Sequence, residues 1–309
     1  MLAYELTVIH VTHSETYLFG KPEEIFIERS VEGKPHSGKV LAVVAPHADD
    51  FTIFCGGTVA KLVREGYTAY FIRTSNDEKD SYDYDIPETI LRNAADHRAA
   101  AKILGVKKCF DLDYRNHRMD EVSPTELRAR LVYLFRLLKV DTVITFDPCI
   151  LYEENPDHYV TAKAVEAAAW MAGCRLDYPE HFEGGLKPHA VKERYYFARG
   201  PQLVNRVVDI SSTIDVKLAA IKANRTQVTN MALRLRDYLA ERNLRLPELE
   251  KDIDSVIDWY VETVFRSEAA SIGKRYGLEY AEAFHYVGPF KRKHLQRYVE
   301  KHSVPLKKV

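Results

Sequence analysis

Two short segments hold the side chains best suited to chemistry. Pro46-His47-Ala48-Asp49-Asp50 follows the apolar run VLAVVA, and Asn155-Pro156-Asp157-His158 comes after the run TVITF. His47, Asp50 and His158 together offer two imidazoles and a carboxylate, a donor set that suits a catalytic zinc with an open coordination position. Adjacent side chains diverge, so Asp49 is left free to face water activated by such an ion. There it could take a proton as general base and return it to a leaving amine. A plainer reading uses the same residues. Paired acids in a turn are often solvated or cap a helix, and Asn155-Pro156 is an N-cap with proline at the first helical position. Asp96-His97 reads as a solvated pair in mid-helix. His10, His13, His117, His181, His189 and His285 have no partners at ligand spacing and receive no role.

Positions 47 and 158 can meet only if strand ends share an edge, and the pattern supplies that. From residue 39, short β-branched runs at 40–45, 67–74, 108–112 and 142–146 alternate with helical stretches at 58–64, 87–104, 123–138 and 155–172. Four β-then-α repeats predict an α/β fold, a mostly parallel sheet with helices on both faces. In such a sheet the carboxyl ends of the strands line one crevice, where ligands bind. A strand at 207–210 and a largely helical region at 213–276 follow. Residues 1–38 differ: 5–11 and 24–28 alternate like half-exposed strands around Gly20-Lys21-Pro22. They predict an N-terminal β-hairpin extension. The expected division is 1–38 as this extension, 39–290 as the main domain, and 291–309 as a basic C-terminal tail.

Composition closes off other classes. With 44 basic and 45 acidic side chains, the net charge of −1 leaves no basic footprint for nucleic acid or an anionic membrane. No apolar run approaches the ~20 residues of a membrane span, and no leader pattern opens the chain, so the expected location is the cytoplasm. The four scattered cysteines lack a C-x-x-C pair and read as reduced thiols. Gly33-Lys-Pro-His-Ser-Gly38-Lys39-Val40 imitates a phosphate-binding loop, but Val40 replaces the required hydroxyl and the segment precedes a strand instead of following one.

The motifs resemble those of the LmbE-like (PIG-L) family of zinc-dependent N-acetylglucosaminyl deacetylases. Pro46-His-Ala-Asp-Asp50 with Cys55-Gly-Gly-Thr58 is similar to the family's first signature, and Asn155-Pro-Asp-His158 to its H-P-D-H. Ala99-Ala-Ala-Lys-Ile-Leu-Gly105, Val208-Asp-Ile-Ser211, Lys217-Leu-Ala-Ala220, Arg225-Thr-Gln227 and Tyr280-Ala-Glu-Ala-Phe284 extend the likeness over about residues 39 to 290. The resemblance implies a Rossmann-like fold, one zinc (or iron) per chain held by His47, Asp50 and His158, and Asp49 as base. Three departures stand out. Phe51 and Thr52 occupy positions where the family usually has Glu. Asn155 replaces a histidine that acts as oxyanion stabiliser or acid. A substrate-contacting arginine aligns with Asn93 and a sugar-binding aspartate with Asn116, making these two tentative substrate residues.

The expected activity is removal of an N-acetyl or other N-acyl group from a small amino-sugar substrate or conjugate. Asp49 and Asn155 would be the catalytic residues, and Asp157 would buttress the site by hydrogen bonds. Two rivals remain at this level: a metal-binding relative whose catalytic centre has drifted toward a binding or assembly role, and a zinc amidase for a different conjugate. Near-zero net charge permits a homo-oligomer.

Overall fold

The computed structural model describes residues 25–288 and 293–305. Eight strands form one sheet: β1 (Phe26–Glu28), β2 (Val40–Ala45), β3 (Thr68–Ser75), β4 (Lys108–Tyr114), β5 (Thr142–Phe146), β6 (Glu193–Phe197), β7 (Arg206–Asp209) and β8 (Ala281–Val287). The spatial order is β1-β7-β8-β6-β5-β2-β3-β4. Neighbours are parallel, except that β8 runs antiparallel to both β6 and β7. The helices are α1 (Asp50–Ile53), α2 (Gly56–Arg64), α3 (Ile86–Ile103), α4 (Pro124–Leu138), α5 (Pro156–Met171), α6 (Glu180–Glu183), α7 (Ile214–Ala223), α8 (Arg225–Ala240), α9 (Ile253–Tyr260), α10 (Ser267–Arg275) and α11 (Lys293–His302). Among the described residues no helix is long and apolar enough to cross a membrane.

β2 is apolar at every position because both of its faces are covered. Its side chains alternate between two cores. Leu41, Val43 and Ala45 pack with Val59 and Leu62 of α2, Ala100 of α3 and Leu218 of α7. Ala42 and Val44 pack with Leu131 and Phe135 of α4 and Val165 of α5. Strand order reverses at β2, with β3 and β4 on one side and β5 and β6 on the other. This switch point opens a crevice beyond the carboxyl ends of β2 and β5.

The expected α/β sheet is present. Of the proposed hairpin, the 5–11 strand lies outside the described residues. Of the second expected strand, Phe26–Glu28 forms β1, an edge strand that pairs in parallel with β7. Glu28 explains that placement, since its carboxylate accepts from Lys61 Nζ at 2.9 Å, Tyr195 OH at 2.9 Å and Arg206 Nη1 at 2.8 Å. β6 and β8 went unrecognised in the sequence. Their tyrosines and charged residues read as mixed polarity, because one face packs in the core through Tyr195, Phe197 and Phe284 while the other meets ion pairs and a cavity.

Candidate metal centre and active site

β2 ends at Ala45 and the chain turns sharply into α1. Asp50 Oδ2 accepts the His47 backbone N–H at 2.9 Å, closing the turn. Thr52 Oγ1 donates to the Asp49 carbonyl at 2.8 Å and accepts from Asn224 Nδ2 at 2.8 Å. Phe51 is fully buried and stacks against Phe71, with centroids 4.4 Å apart. The second segment starts α5. Asn155 Oδ1 accepts the Asp157 N–H at 2.9 Å as an N-cap, and Pro156 takes the first helical position. One turn of helix then carries His158 over Phe146, the last residue of β5, with ring centroids 3.9 Å apart.

The two segments meet. His47 Nδ1 lies 3.1 Å from His158 Nε2 and 3.3 Å from Asp50 Oδ2, and His158 Nε2 lies 3.7 Å from Asp50 Oδ1. The outward nitrogens face carboxylates. His47 Nε2 donates to Asp157 Oδ2 at 3.1 Å, and His158 Nδ1 lies 3.1 Å from Glu153 Oε1. Asp157 is itself held by the backbone N–H of His117 at 2.7 Å and of Met119 at 3.2 Å. With Nε2 of His47 turned to Asp157 and Nδ1 of His158 beside Glu153, the inward nitrogens and the Asp50 carboxylate converge on one point. This buried trio of one-atom donors fits a divalent cation. His47, Asp80 and His117 form a second such group that shares His47 but is more exposed.

Electrostatics separate the two adjacent aspartates. Burial, then the neighbouring Asp50 charge, hold the Asp49 carboxyl well above its usual range against the pull of His47. Burial also acts on Asp50, but the charges of His158 and His47 and hydrogen bonds from His47 outweigh it and lower its pKa. For His47, burial is opposed successfully by Asp50 and Asp157, which raise its pKa well above the ordinary value. One carboxyl is therefore suited to bind a cation and its neighbour to carry a proton.

A cavity of about 310 Å³ opens over these groups. Asp49, Asn155, Asp80 and His117 line it near the trio, and Arg199, Gln227, Asn230 and Arg234 line its outer wall. Asn93 and Asn116 do not line it. Asn93 is fully buried and donates to the carbonyls of Asp77 and Asp80, at 3.3 and 3.0 Å. Asn116, equally buried, donates to Asp80 Oδ2 at 3.0 Å and Asp157 Oδ2 at 3.3 Å. Both stand behind the wall and fix Asp80, which faces the cavity. Their assignment as direct substrate contacts is corrected accordingly.

His117, given no role from spacing, faces the cavity, because its backbone N–H is anchored to Asp157. His97 is also not solvated. It is wholly buried, while Asp96 Oδ2 accepts the Thr226 N–H at 2.7 Å. The outer wall carried a legible signal: Gln227, Asn230 and Arg234 recur at helical spacing along one face of α8. Glu153 carried none, since a loop acid two residues before an N-cap is common.

Comparison with known proteins agrees with this geometry. The family model PIG-L, described as GlcNAc-PI de-N-acetylase, matches residues 42–169, a span that includes both motifs. The chain is 28% identical to the diacetylchitobiose deacetylase of Thermococcus kodakarensis over 81% of its own length and 83% of that protein. It is 25% identical to the 1D-myo-inositol 2-acetamido-2-deoxy-alpha-D-glucopyranoside deacetylase of Mycolicibacterium smegmatis, covering 70% of this chain and 89% of the other. Among solved structures, N,N'-diacetylchitobiose deacetylase from Pyrococcus horikoshii superposes with a TM-score of 0.66 at 25% identity, covering 81% of this chain and 84% of that one. With its two motifs joined at the end of β2 and the start of α5, the chain is similar over residues 42–169 to the PIG-L family and, over most of its length, to amide-hydrolysing deacetylases.

Proposed function

We propose that the protein is a zinc-dependent de-N-acetylase acting on an N-acetylglucosamine-type amino sugar or its conjugate, with Asp49 as general base. The observation that carries this reading is the convergence of His47, Asp50 and His158 beside Asp49 at the floor of a cavity. His47, Asp50 and His158 would hold the zinc, which would supply Lewis acidity toward the amide carbonyl and acidify water at the site. Asp49 accepts the proton of the attacking water and passes it to the departing amine. Asn155 spends Oδ1 on its helix cap, so its Nδ2 is the group free to donate to the developing oxyanion. Asp157 and Glu153 hold the two imidazoles in the tautomers that face inward. Asp80, His117 and the polar face of α8 contact the sugar hydroxyls. A cavity of about 310 Å³ accommodates one such ring and leaves the rest of a conjugate at the mouth.

The drifted-relative reading loses two of its three supports and keeps Asn155, which lines the cavity. Phe51 and Thr52 depart from the family pattern, yet neither lines the cavity: Phe51 packs in the core and Thr52 ties down the turn. The test is mass-spectrometric screening of zinc-loaded protein against N,N'-diacetylchitobiose, N-acetylglucosamine and N-acetylglucosaminyl conjugates, alongside Asp49→Asn. Expected is loss of acetyl from at least one, with turnover in Asp49→Asn lower by about a hundredfold or more and metal retained. Metal release in Asp49→Asn would make Asp49 a ligand, and an absence of deacetylation across the series would overturn the substrate class.

A further inference from the structure

A second cavity, of about 370 Å³, lies between α5 and the face of β6 and β8, and the reaction proposed above makes no use of it. Arg194 and Tyr196 alternate along β6, so both side chains leave the same face of the sheet. The antiparallel register sets Val287 of β8 opposite Arg194 and His285 opposite Tyr196. Across the gap, α5 contributes Glu166, Ala167 and Trp170.

The polar groups on this floor are unusually idle. Arg194 is 9% exposed and Tyr196 4%. Among the described residues, neither the guanidinium nor the phenol hydroxyl has a hydrogen-bond or ion-pair partner. Both groups open onto the cavity without an acceptor from the protein, so a bound anion can supply the acceptor there. The acids nearby do not serve. Asp147 is committed to His285 Nδ1 at 3.0 Å and the Cys149 N–H at 2.8 Å, and Glu166 stands exposed without an ion pair to Arg194. Burial keeps the Tyr196 phenol above its ordinary pKa despite the opposing Arg194 charge, so the hydroxyl remains a donor. Trp170, at 62% exposure, presents its indole at the mouth.

We propose that this cavity is a second ligand site for a small organic monocarboxylate, held by the Arg194 guanidinium and the Tyr196 hydroxyl, with its apolar body against Trp170 and Val287. One guanidinium matches one negative charge and can grip a carboxylate through two parallel hydrogen bonds. A phosphate dianion would leave a charge uncompensated beside Glu166.

Benzoate is the probe. The chain has two tryptophans, so a Trp259→Phe background makes Trp170 the sole reporter in the full metal-loaded protein. Benzoate should change Trp170 fluorescence saturably with a Kd of about 1 mM or below, whereas methyl benzoate should not. Arg194→Met should weaken binding by about tenfold or more and Tyr196→Phe by about threefold. Tyr196→Phe removes a single hydroxyl, so it carries the test should Arg194→Met fail to fold. Benzoate lodged at the catalytic centre would be insensitive to both variants. Equal affinity in wild type and Tyr196→Phe, or no benzoate response, overturns the site. Inorganic phosphate binding more tightly than benzoate, in an Arg194-dependent way, overturns the carboxylate assignment.

Discussion

His47 Nδ1 and His158 Nε2 lie 3.1 Å apart although 111 residues separate them along the chain. With their outer nitrogens facing Asp157 and Glu153, the inner lone pairs point at each other and at Asp50. Such a cluster needs a positive charge at its centre, supplied either by a proton on His47, whose pKa is raised by Asp50 and Asp157, or by a divalent cation. Two imidazole nitrogens at about 2.0–2.1 Å from a tetrahedral zinc are themselves about 3.3–3.4 Å apart, close to the spacing found.

Metal affinity should therefore depend on the carboxylates behind the rings as well as on the ligands. Asp157→Asn should weaken zinc binding by about 10–100-fold in chelator competition, because His47 loses the charged acceptor that fixes its tautomer and raises its basicity. His47→Ala and His158→Ala should lose nearly all of it. Wild-type affinity in Asp157→Asn would mean that the His117 loop alone orients His47.

A second buried cluster governs stability. Glu282 of β8 accepts the Gly57 N–H at 3.0 Å and the Thr58 N–H at 2.8 Å at the start of α2, and Lys217 Nζ of α7 donates to it at 2.7 Å. Both side chains are buried. Lys217→Met leaves an uncompensated carboxylate and should cost about 3–5 kcal/mol in urea unfolding. The double variant Lys217→Met/Glu282→Gln should recover part of that loss. A double variant no better than the single one would show that the packing around Lys217, and not the charge, carries the effect.

That cluster also explains what the sequence disclosed. The Cys55-Gly-Gly-Thr58, Val208-to-Ser211, Lys217-to-Ala220 and Tyr280-to-Phe284 motifs converge on it: a Cβ at Gly57 would sit 2.8 Å from Ile210, and Glu282 caps α2 beside Lys217. These motifs identified the scaffold without saying why. The metal trio was legible because its donor types are scarce and each segment follows a buried strand. The rim was not. His117 and Asp80 reach the cavity only through loop hydrogen bonds to Asp157 and Asn116, and such bonds leave no periodicity in the sequence. β8 escaped because an antiparallel strand after a helical region breaks the β-then-α rhythm used to read the others.

His97 gives the fold a dependence on pH. Its ring is buried between Phe51 and Phe71, at centroid distances of 4.7 and 5.6 Å, with Nδ1 3.4 Å from the Ala48 carbonyl. Burial, then the Arg73 charge, push its pKa down from 6.5 to about 3. Between those values the unfolded chain takes up a proton that the native state refuses. Stability from this group is thus fully present above pH about 6.5 and falls by about 1.4 kcal/mol per pH unit as the solution is acidified toward 3. His97→Gln should flatten that slope in denaturant titrations between pH 6 and about 4. Identical slopes would mean that native His97 exchanges its proton with solvent.

Asn155 stands where the chain departs from the H-P-D-H motif it otherwise resembles, and its two candidate roles use different atoms. Oδ1 takes the Asp157 N–H at 2.9 Å as the cap of α5, which leaves Nδ2 on a side chain that lines the catalytic cavity. Asn155→Asp keeps the capping oxygen, so melting temperature and metal content should stay near wild type. The same change removes the N–H donor and puts a negative charge where the oxyanion develops. Turnover should fall by about a hundredfold or more with a confirmed N-acetylated substrate. Asn155→His should retain activity and add a titration near the ordinary imidazole pKa of about 6.5, while losing about 1 kcal/mol of stability because imidazole is a poorer cap. The pair of variants separates the roles, since one preserves the cap and removes the donor while the other weakens the cap and keeps a donor. Unchanged turnover in Asn155→Asp, with wild-type metal content, would leave capping of α5 as the residue's whole contribution.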